Sequence, residues 1–235
     1  MKRRYLCLLL LPLLALLTRG EETVPAAAPA RAPCIALTFD DSPNGALTER
    51  LLDGLKERGA HATFFIIGQQ AEGQEPLLRR MAAEGHQVGN HTWTHRRLDT
   101  TGAVGRHELE RTEAMLHKVL GGSGYWVRPP WGFAGAETLH TANVPLIHWS
   151  VDTEDWRSLD AACVAQRIES CVRDGDIVLL HDAYASSVDA ALDAIDRLSE
   201  QGYRFVTLEE LFDEMGTPPE AGRFYCRPDE LRPVR

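Results

Sequence analysis

The chain has 235 residues, 44% of them hydrophobic and 25% charged. That is enough for one packed domain of roughly 200 residues, and too apolar for wholesale disorder. Its 25 basic and 34 acidic side chains leave a net charge of −9, so nucleic acid is excluded as a partner and an anionic membrane surface is a poor docking site for the folded part. No internal repeat at a period of about 20 to 50 residues is visible, which argues against a solenoid or propeller.

From the N-terminus, Lys2, Arg3 and Arg4 precede a leucine-rich apolar run from Tyr5 to Leu17. The run is shorter than the ~20 residues a helix needs to cross a bilayer, and Pro12 interrupts it. Residues 1–20 therefore read as a secretory signal peptide. Thr18-Arg19-Gly20 is not a clean small-x-small cleavage site, so an uncleaved N-terminal anchor is the alternative. On either reading the protein is exported: secreted, associated with the cell wall, or tethered to the outer side of the membrane. Residues 21–33, with Ala26-Ala27-Ala28 and three prolines, read as a spacer.

From Cys34 onward, short β-rich runs alternate with helical segments. The expected strands are Ile35–Phe39, Ala62–Ile67, Gln87–Gly89, Trp126–Arg128, Leu146–Val151, Ile177–Leu180 and Arg204–Thr207. Leu47, Leu51, Leu52 and Leu55, then Val104, Leu109, Leu116 and Leu120, mark apolar stripes at helical spacing. Strands alternating with helices imply a parallel sheet, and seven in series imply a barrel or near-barrel with the helices outside. Gly59, Gly85, Gly175 and Gly202 fall where glycines that end helices belong. Residues 34–214 are thus the expected domain, and 215–235, carrying four prolines, an irregular tail wrapped on it.

Of the five cysteines, Cys7 lies in the signal segment. Cys163 and Cys171 are expected on one helix, about 12 Å apart by helical rise, too far to bridge. A Cys34–Cys226 pair stays open, because the two lie near the ends of the fold. No C-x-x-C occurs, so cysteine-based zinc or redox chemistry is not expected.

The ionisable residues gather in one place. Asp40 and Asp41 follow the first expected strand, His91 and His95 the third, Arg128 the fourth, Asp152 and Asp155 the fifth, and His181 the sixth. All sit at strand C-termini, the rim where barrel enzymes assemble their sites. In Thr38-Phe39-Asp40-Asp41-Ser42-Pro43 successive side chains diverge, so one carboxylate can bind a metal while the other faces the reacting centre. In His91-Thr92-Trp93-Thr94-His95 the two imidazoles are spaced to face one ion from a helical turn. Two histidines and an aspartate leave open positions for water and substrate, a composition typical of a hydrolytic site for zinc or a similar divalent ion.

Five segments in this order, Thr38–Pro43, His91–His95, Arg128-Pro129-Pro130-Trp131, Asp152-Thr153-Glu154-Asp155-Trp156 and Leu179-Leu180-His181, resemble the motifs of the NodB-type polysaccharide deacetylases, carbohydrate esterase family 4. The resemblance covers about residues 34 to 214 and implies a distorted (β/α)7 barrel. It implies one divalent ion, zinc first and cobalt or another divalent ion next, held by Asp41, His91 and His95. Asp40 would be the general base, positioned by Arg128, and His181 the general acid, oriented and kept protonated by Asp155. The Trp131 N–H would serve the oxyanion, while Leu179 and Trp156 would form the floor for the acetyl methyl. The implied reaction is removal of N-acetyl groups from a cell-wall or chitin-like polysaccharide, N-acetylglucosamine of peptidoglycan foremost. O-deacetylation of xylan by the same site and a non-catalytic wall-binding homologue are the alternatives. The polysaccharide is the expected partner, and no stable protein partner is implied. The family usually has glycine after the two aspartates; Ser42 here would cost about 1 kcal/mol if that position needs positive φ.

Outside the motifs the expectations are plain. His61, His107, His117 and His140 are structural or exposed, and His86 and His148 are satisfied in the core. Trp93, Trp126 and Trp149 are packing residues, Trp131 has a sugar-stacking face, and Asp152 caps its loop. Gly121-Gly122-Ser123-Gly124 follows a helix rather than opening one, so it is a loop and not a phosphate cradle.

Overall fold

The computed structural model describes residues 31–99 and 102–233. The expected signal segment and most of the spacer lie outside these residues. In chain order the elements are β1 (Cys34–Ser42), α1 (Ala46–Glu57), β2 (Thr63–Ile66), α2 (Gly68–Ala71), α3 (Glu75–Ala83), β3 (Gln87–Asn90), α4 (Gly102–Leu120), α5 (Ala136–Thr141), β4 (Leu146–Ile147) and β5 (Val151–Asp152). There follow α6 (Asp155–Ser158), α7 (Ala161–Cys171), β6 (Ile177–His181), α8 (Ala185–Glu200), β7 (Arg204–Phe205), α9 (Leu208–Glu214), β8 (Phe224–Arg227) and β9 (Glu230–Leu231).

The strand order β3-β2-β1-β6-β5 is parallel throughout. Val127 bridges Asn90 at the end of β3 to Leu146 in β4, and only three residues separate β4 from β5. The strands therefore return on themselves as a distorted barrel. Two expected strands take another form. Trp126–Arg128 contributes bridges at Val127 alone. Leu146–Val151 is split because its backbone changes partner midway: Ile147 N–H bonds to Val127, His148 N–H to Tyr225, and Ser150 N–H to Ile177. β7 pairs with the first residues of β1, Cys34 with Arg204 and Ile35 with Phe205.

Alternation along β1 sorts the core. Ile35, Leu37 and Phe39 join a cluster with Leu51, Leu55, Ile195 and Leu198 of the surrounding helices. Cys34 and Ala36 point the other way, into a cluster with Phe65, Trp126, Ile147 and Tyr225. The latter cluster is closed by Leu208, Leu211 and Phe212 of α9, a helix started by a capping box between Thr207 and Glu210. The inward face of β1 then turns polar with Thr38 and Asp40.

α1 buries Leu51, Leu52 and Leu55 as its stripe predicts. α4 differs: Val104 is 49% exposed, and the buried stripe is Gly105, Glu108, Leu109, Thr112 and Leu116. Gly85 and Gly202 take φ of 85° and 86° just past α3 and α8, a conformation a side chain would strain.

The C-terminal segment is not an irregular wrap. β8 pairs parallel with β4 and turns into β9, so it supplies the edge that β4 lacks. Arg227 of β8 forms an ion pair with buried Asp176 at the entry to β6 and donates to the Asp174 carbonyl at 2.8 Å. From Ala32 on, this segment belongs to the same compact unit as the rest of the chain. Cys163 and Cys171 share α7, and the structure shows no bridge between Cys34 and Cys226.

Candidate active site

The site lies at the C-terminal ends of the parallel strands. Asp40, at the top of the inward face of β1, is level with His181 of β6. Arg128, fully buried, lies beneath. Its Nη1 donates to Asp40 Oδ1 at 2.9 Å and to Thr38 Oγ1 at 2.6 Å, and its Nη2 donates to the His148 carbonyl at 2.7 Å. The guanidinium lies 4.3 Å from the Phe65 ring centroid. Burial alone would raise the Asp40 pKa. The Arg128 charge and hydrogen bond, with His91 and His181, override it and hold the carboxyl below its usual value.

Asp41 turns away from its neighbour because it takes a left-handed conformation, φ 60°. The strain feared at Ser42 is thus carried by Asp41. Ser42 is not left-handed. Its hydroxyl donates to Asp182 at 2.8 Å, and Asn44 Nδ2 and Thr48 Oγ1 reach the same carboxylate at 2.7 and 2.5 Å. Burial raises the Asp182 pKa against these bonds. Asp182 therefore ties the segment after β1 to the end of β6.

His91 and His95 converge on Asp41, but from a loop and not from a helical turn. Thr92 and His95 are both left-handed, φ 69° and 60°, and these two reversals bring the rings to one side. The Asp41 Oδ1–His95 Nε2 and Asp41 Oδ1–His91 Nε2 distances are 3.3 and 3.5 Å. Donor atoms of the three residues lie within 4.8 Å of one another. Tetrahedral ligands about 2.0 Å from zinc sit roughly 3.3 Å apart, so the spacing fits such an ion. The chemistry of the donors fits too. Asp41 Oδ1 is buried and has no hydrogen-bond partner. His91 Nδ1 donates to the Arg128 carbonyl at 2.6 Å, which leaves Nε2 with its lone pair. Burial, then the neighbouring His91, hold the His95 pKa below its usual value, so that ring is neutral as a ligand must be.

Across the mouth, His181 Nδ1 bonds to Asp155 Oδ1 at 2.9 Å, and the His181 backbone N–H donates to Asp155 Oδ2 at 2.7 Å. Burial opposes the imidazolium, but the bond and charge of Asp155, with Asp40 and Asp41, push His181 up to about 9. Asp40, Asp41, His91, His95 and His181 line a cleft of about 460 Å³ together with Trp131, Trp156 and Leu179. Leu179 is its buried floor, whereas Trp156, 52% exposed, stands at the rim instead of beneath. Trp131 takes φ 54° and sets its ring 4.2 Å from that of His95. Gly132 N–H bonds to Pro129 and Phe133 N–H to Pro130, so the Trp131 N–H takes no part in the bonds of its own turn.

Several residues differ from expectation. Trp149 lines the cleft and stacks on His148 at 3.7 Å between centroids. His86 and His148 are buried but only half satisfied, each with a partnerless Nε2. Burial accordingly lowers their pKa values to about 4 and about 3. Asp152 caps its loop by accepting the Glu154 N–H at 3.0 Å, and also borders the cleft. Tyr184 and Phe133, which no motif marked, complete the lining. Glu108 and Asp182, buried carboxylates beneath the site, escaped the sequence reading too. An acid in an apolar helical stripe and an acid next to His181 were the available signals.

The sequence model of the polysaccharide deacetylase family matches residues 27–144. Peptidoglycan-N-acetylmuramic acid deacetylase PdaC of Bacillus subtilis is 38% identical over 180 residues, 75% of this chain and 38% of that protein. Peptidoglycan-N-acetylglucosamine deacetylase PgdA of Listeria monocytogenes is 37% identical over 185 residues, 77% of this chain and 39% of that protein. The chain spans about two fifths of the length of these curated relatives. The structure of a family 4 acetyl xylan esterase from Clostridium thermocellum, in complex with a cobalt ion, superposes with a TM-score of 0.78 and 32% identity, over 83% of this chain and 98% of that one. The fold is thus the (β/α)7 barrel of these enzymes, and the chain belongs to the polysaccharide deacetylase family.

Proposed function

We propose that the protein is a metal-dependent hydrolase removing N-acetyl groups from an exported polysaccharide, with N-acetylglucosamine residues of peptidoglycan as the first substrate and chitin-like oligomers as the next. The observation that carries the reading is the convergence at one cleft of an open three-donor set, a buried Asp40–Arg128 pair and a His181–Asp155 pair. A divalent ion held by Asp41, His91 and His95, zinc first and cobalt next, supplies Lewis acidity toward the acetyl carbonyl and acidifies water.

The chain does the rest. Asp40, ionised at neutral pH, takes the proton of the attacking water, and Arg128 fixes the carboxylate in place. The Trp131 N–H donates to the carbonyl oxygen as it gains charge, a contribution of about 3 kcal/mol. His181 is protonated below pH about 9 and hands its proton to the leaving nitrogen, while Asp155 holds the ring at the angle that transfer needs. Leu179 seats the methyl group on the cleft floor, and Trp156 at the rim shields the mouth from water. The products are acetate and a free amine. A non-catalytic homologue would have lost the base, the acid or a donor, and this cleft keeps all of them. The leader reading of residues 1–20 places the enzyme outside the cytoplasm, secreted, wall-associated or membrane-tethered, where such polymers lie.

Acetate release from N-acetylglucosamine oligomers and from peptidoglycan tests the reading. Release should stop with chelator and return with zinc or cobalt. Asp40→Asn should still bind the metal while kcat falls at least about 100-fold. No release from any N-acetylated polymer with metal present would sink the proposal, and faster turnover of acetylated xylan would convert it to an O-acetyl esterase.

A further inference from the structure

α4 carries a buried acid whose side-chain hydrogen bonds, among the described residues, all go to the loop of the two histidines. Glu108 is 7% exposed. Its Oε2 accepts the backbone N–H of Trp93 at 3.0 Å and of Thr94 at 2.6 Å, and its two oxygens share the Thr94 hydroxyl at 2.9 and 3.0 Å. The loop needs such support, because left-handed Thr92 and His95 are strained conformations for residues with side chains and persist only where the surroundings over-determine them. The other hydrogen bonds go to neutral groups: Asn90 Oδ1 accepts the Thr92 N–H at 2.9 Å, the Ile66 carbonyl the His91 N–H, the Arg128 carbonyl the His91 Nδ1–H, and the Thr92 and Trp93 carbonyls accept from Gly68 and Gln69. Among the described residues, Glu108 is the one acid that accepts backbone N–H groups of residues 91–95, and it takes two of them together with a hydroxyl.

We propose that Glu108 is a positioning residue for the metal: from α4 it clamps residues 91–95 in the one conformation that turns His91 and His95 toward Asp41. The inference rests on the reading of Asp41, His91 and His95 as a divalent-ion site, and it goes beyond that reading by assigning the affinity of the site to a residue that touches neither ion nor substrate. Without the clamp, metal binding has to pay for ordering the loop; with metal bound, the same ligands are in place. The signature is therefore a loss of affinity without a matching loss of kcat at saturating metal.

The test is zinc affinity of the purified protein by competition with a chromophoric chelator, alongside circular dichroism, the melting temperature of the metal-free protein and kcat at saturating zinc. Glu108→Ala should raise the zinc Kd about 10- to 100-fold, with kcat at saturation within about threefold of native. Glu108→Gln keeps a carbonyl oxygen for the two N–H donors, and should restore most of the affinity. Native protein that binds no zinc would refute the metal site itself. A folded Glu108→Ala whose Kd stays within twofold of a zinc-binding native protein would refute the clamp alone. Should Glu108→Ala fail to fold, Thr94→Val takes its place: a Kd raised about threefold supports the clamp, and an unchanged Kd overturns it.

Discussion

Replacing Asp155 by Asn removes the charge beside His181 while leaving an oxygen to accept the Nδ1–H, so it separates proton affinity from orientation. His181 lies at about 9 against 6.5 for an unperturbed histidine, a difference equivalent to about 3 kcal/mol. The Asp155 hydrogen bond and charge are the two largest influences raising it against burial. With the charge gone and only a neutral oxygen accepting from Nδ1, the ring should titrate at about 6.5 or lower, since burial is then poorly opposed. At pH 7.5 the protonated fraction would fall from about 97% to about 10%, roughly a tenfold loss of kcat/KM from protonation alone, and the gap widens to more than about 50-fold at pH 8.5. The assay is the pH profile of acetate release from an N-acetylglucosamine oligomer: the basic limb should move from near 9 to 6.5 or below, while an activated aryl acetate, whose leaving group needs no proton, should lose far less. Stability has its own signature. A raised folded-state pKa contributes stability that is fully present below about 6.5 and lost as pH climbs through about 9. The native protein should therefore lose stability across that window and Asp155→Asn should not. A basic limb that stays within half a pH unit of native would refute the acid assignment.

Arg128→Ala strands Asp40 in the interior without its guanidinium, and should cost about 3–5 kcal/mol, read as a fall in melting temperature of roughly 6 to 20 °C. Arg128→Lys keeps the charge but cannot reach Thr38, Asp40 and His148 together, so turnover should fall more than stability. Gly132 and Gly59 both hold positive φ, 68° and 60°, yet a Cβ on Gly132 would come within 2.4 Å of His148 Nε2 while one on Gly59 meets nothing within 4 Å. Gly59→Ala should thus cost about 1 kcal/mol and Gly132→Ala clearly more, with loss of activity as the adjoining Trp131 moves. Equal melting temperatures for the two variants would contradict the packing at the cleft wall.

The rim was readable because a parallel strand ends where its loop begins, so a polar residue just past an apolar run is placed by periodicity alone. Asp40, His91, Arg128 and His181 were found that way; Asp40, His91 and His181 line one cleft and Arg128 bonds to Asp40 beneath it. Periodicity does not carry backbone hand. The spacing of His91 and His95 predicts a helical turn, while left-handed Thr92 and His95 do the same work in a loop. Neither the split of Leu146–Val151 nor the pairing of β8 was visible, since both depend on a partner exchange at His148 that brings in Tyr225, a residue far along the chain.

Ser42 shows how a departure from a motif is absorbed. Judged by its own position, a side chain where glycine is usual looks like strain. In place, the left-handed residue is Asp41, and the Ser42 hydroxyl joins Asn44 and Thr48 on Asp182. Glu108 follows the same logic from the opposite side of the site: within α4 it interrupts an apolar stripe, and only the loop packed over it explains why a carboxylate is buried there. Residues that touch the substrate are held to a pattern by the chemistry, whereas those that hold them are constrained only by what they bond to. A supporting acid is therefore legible in sequence as an interruption, and becomes a reason once its donors are known.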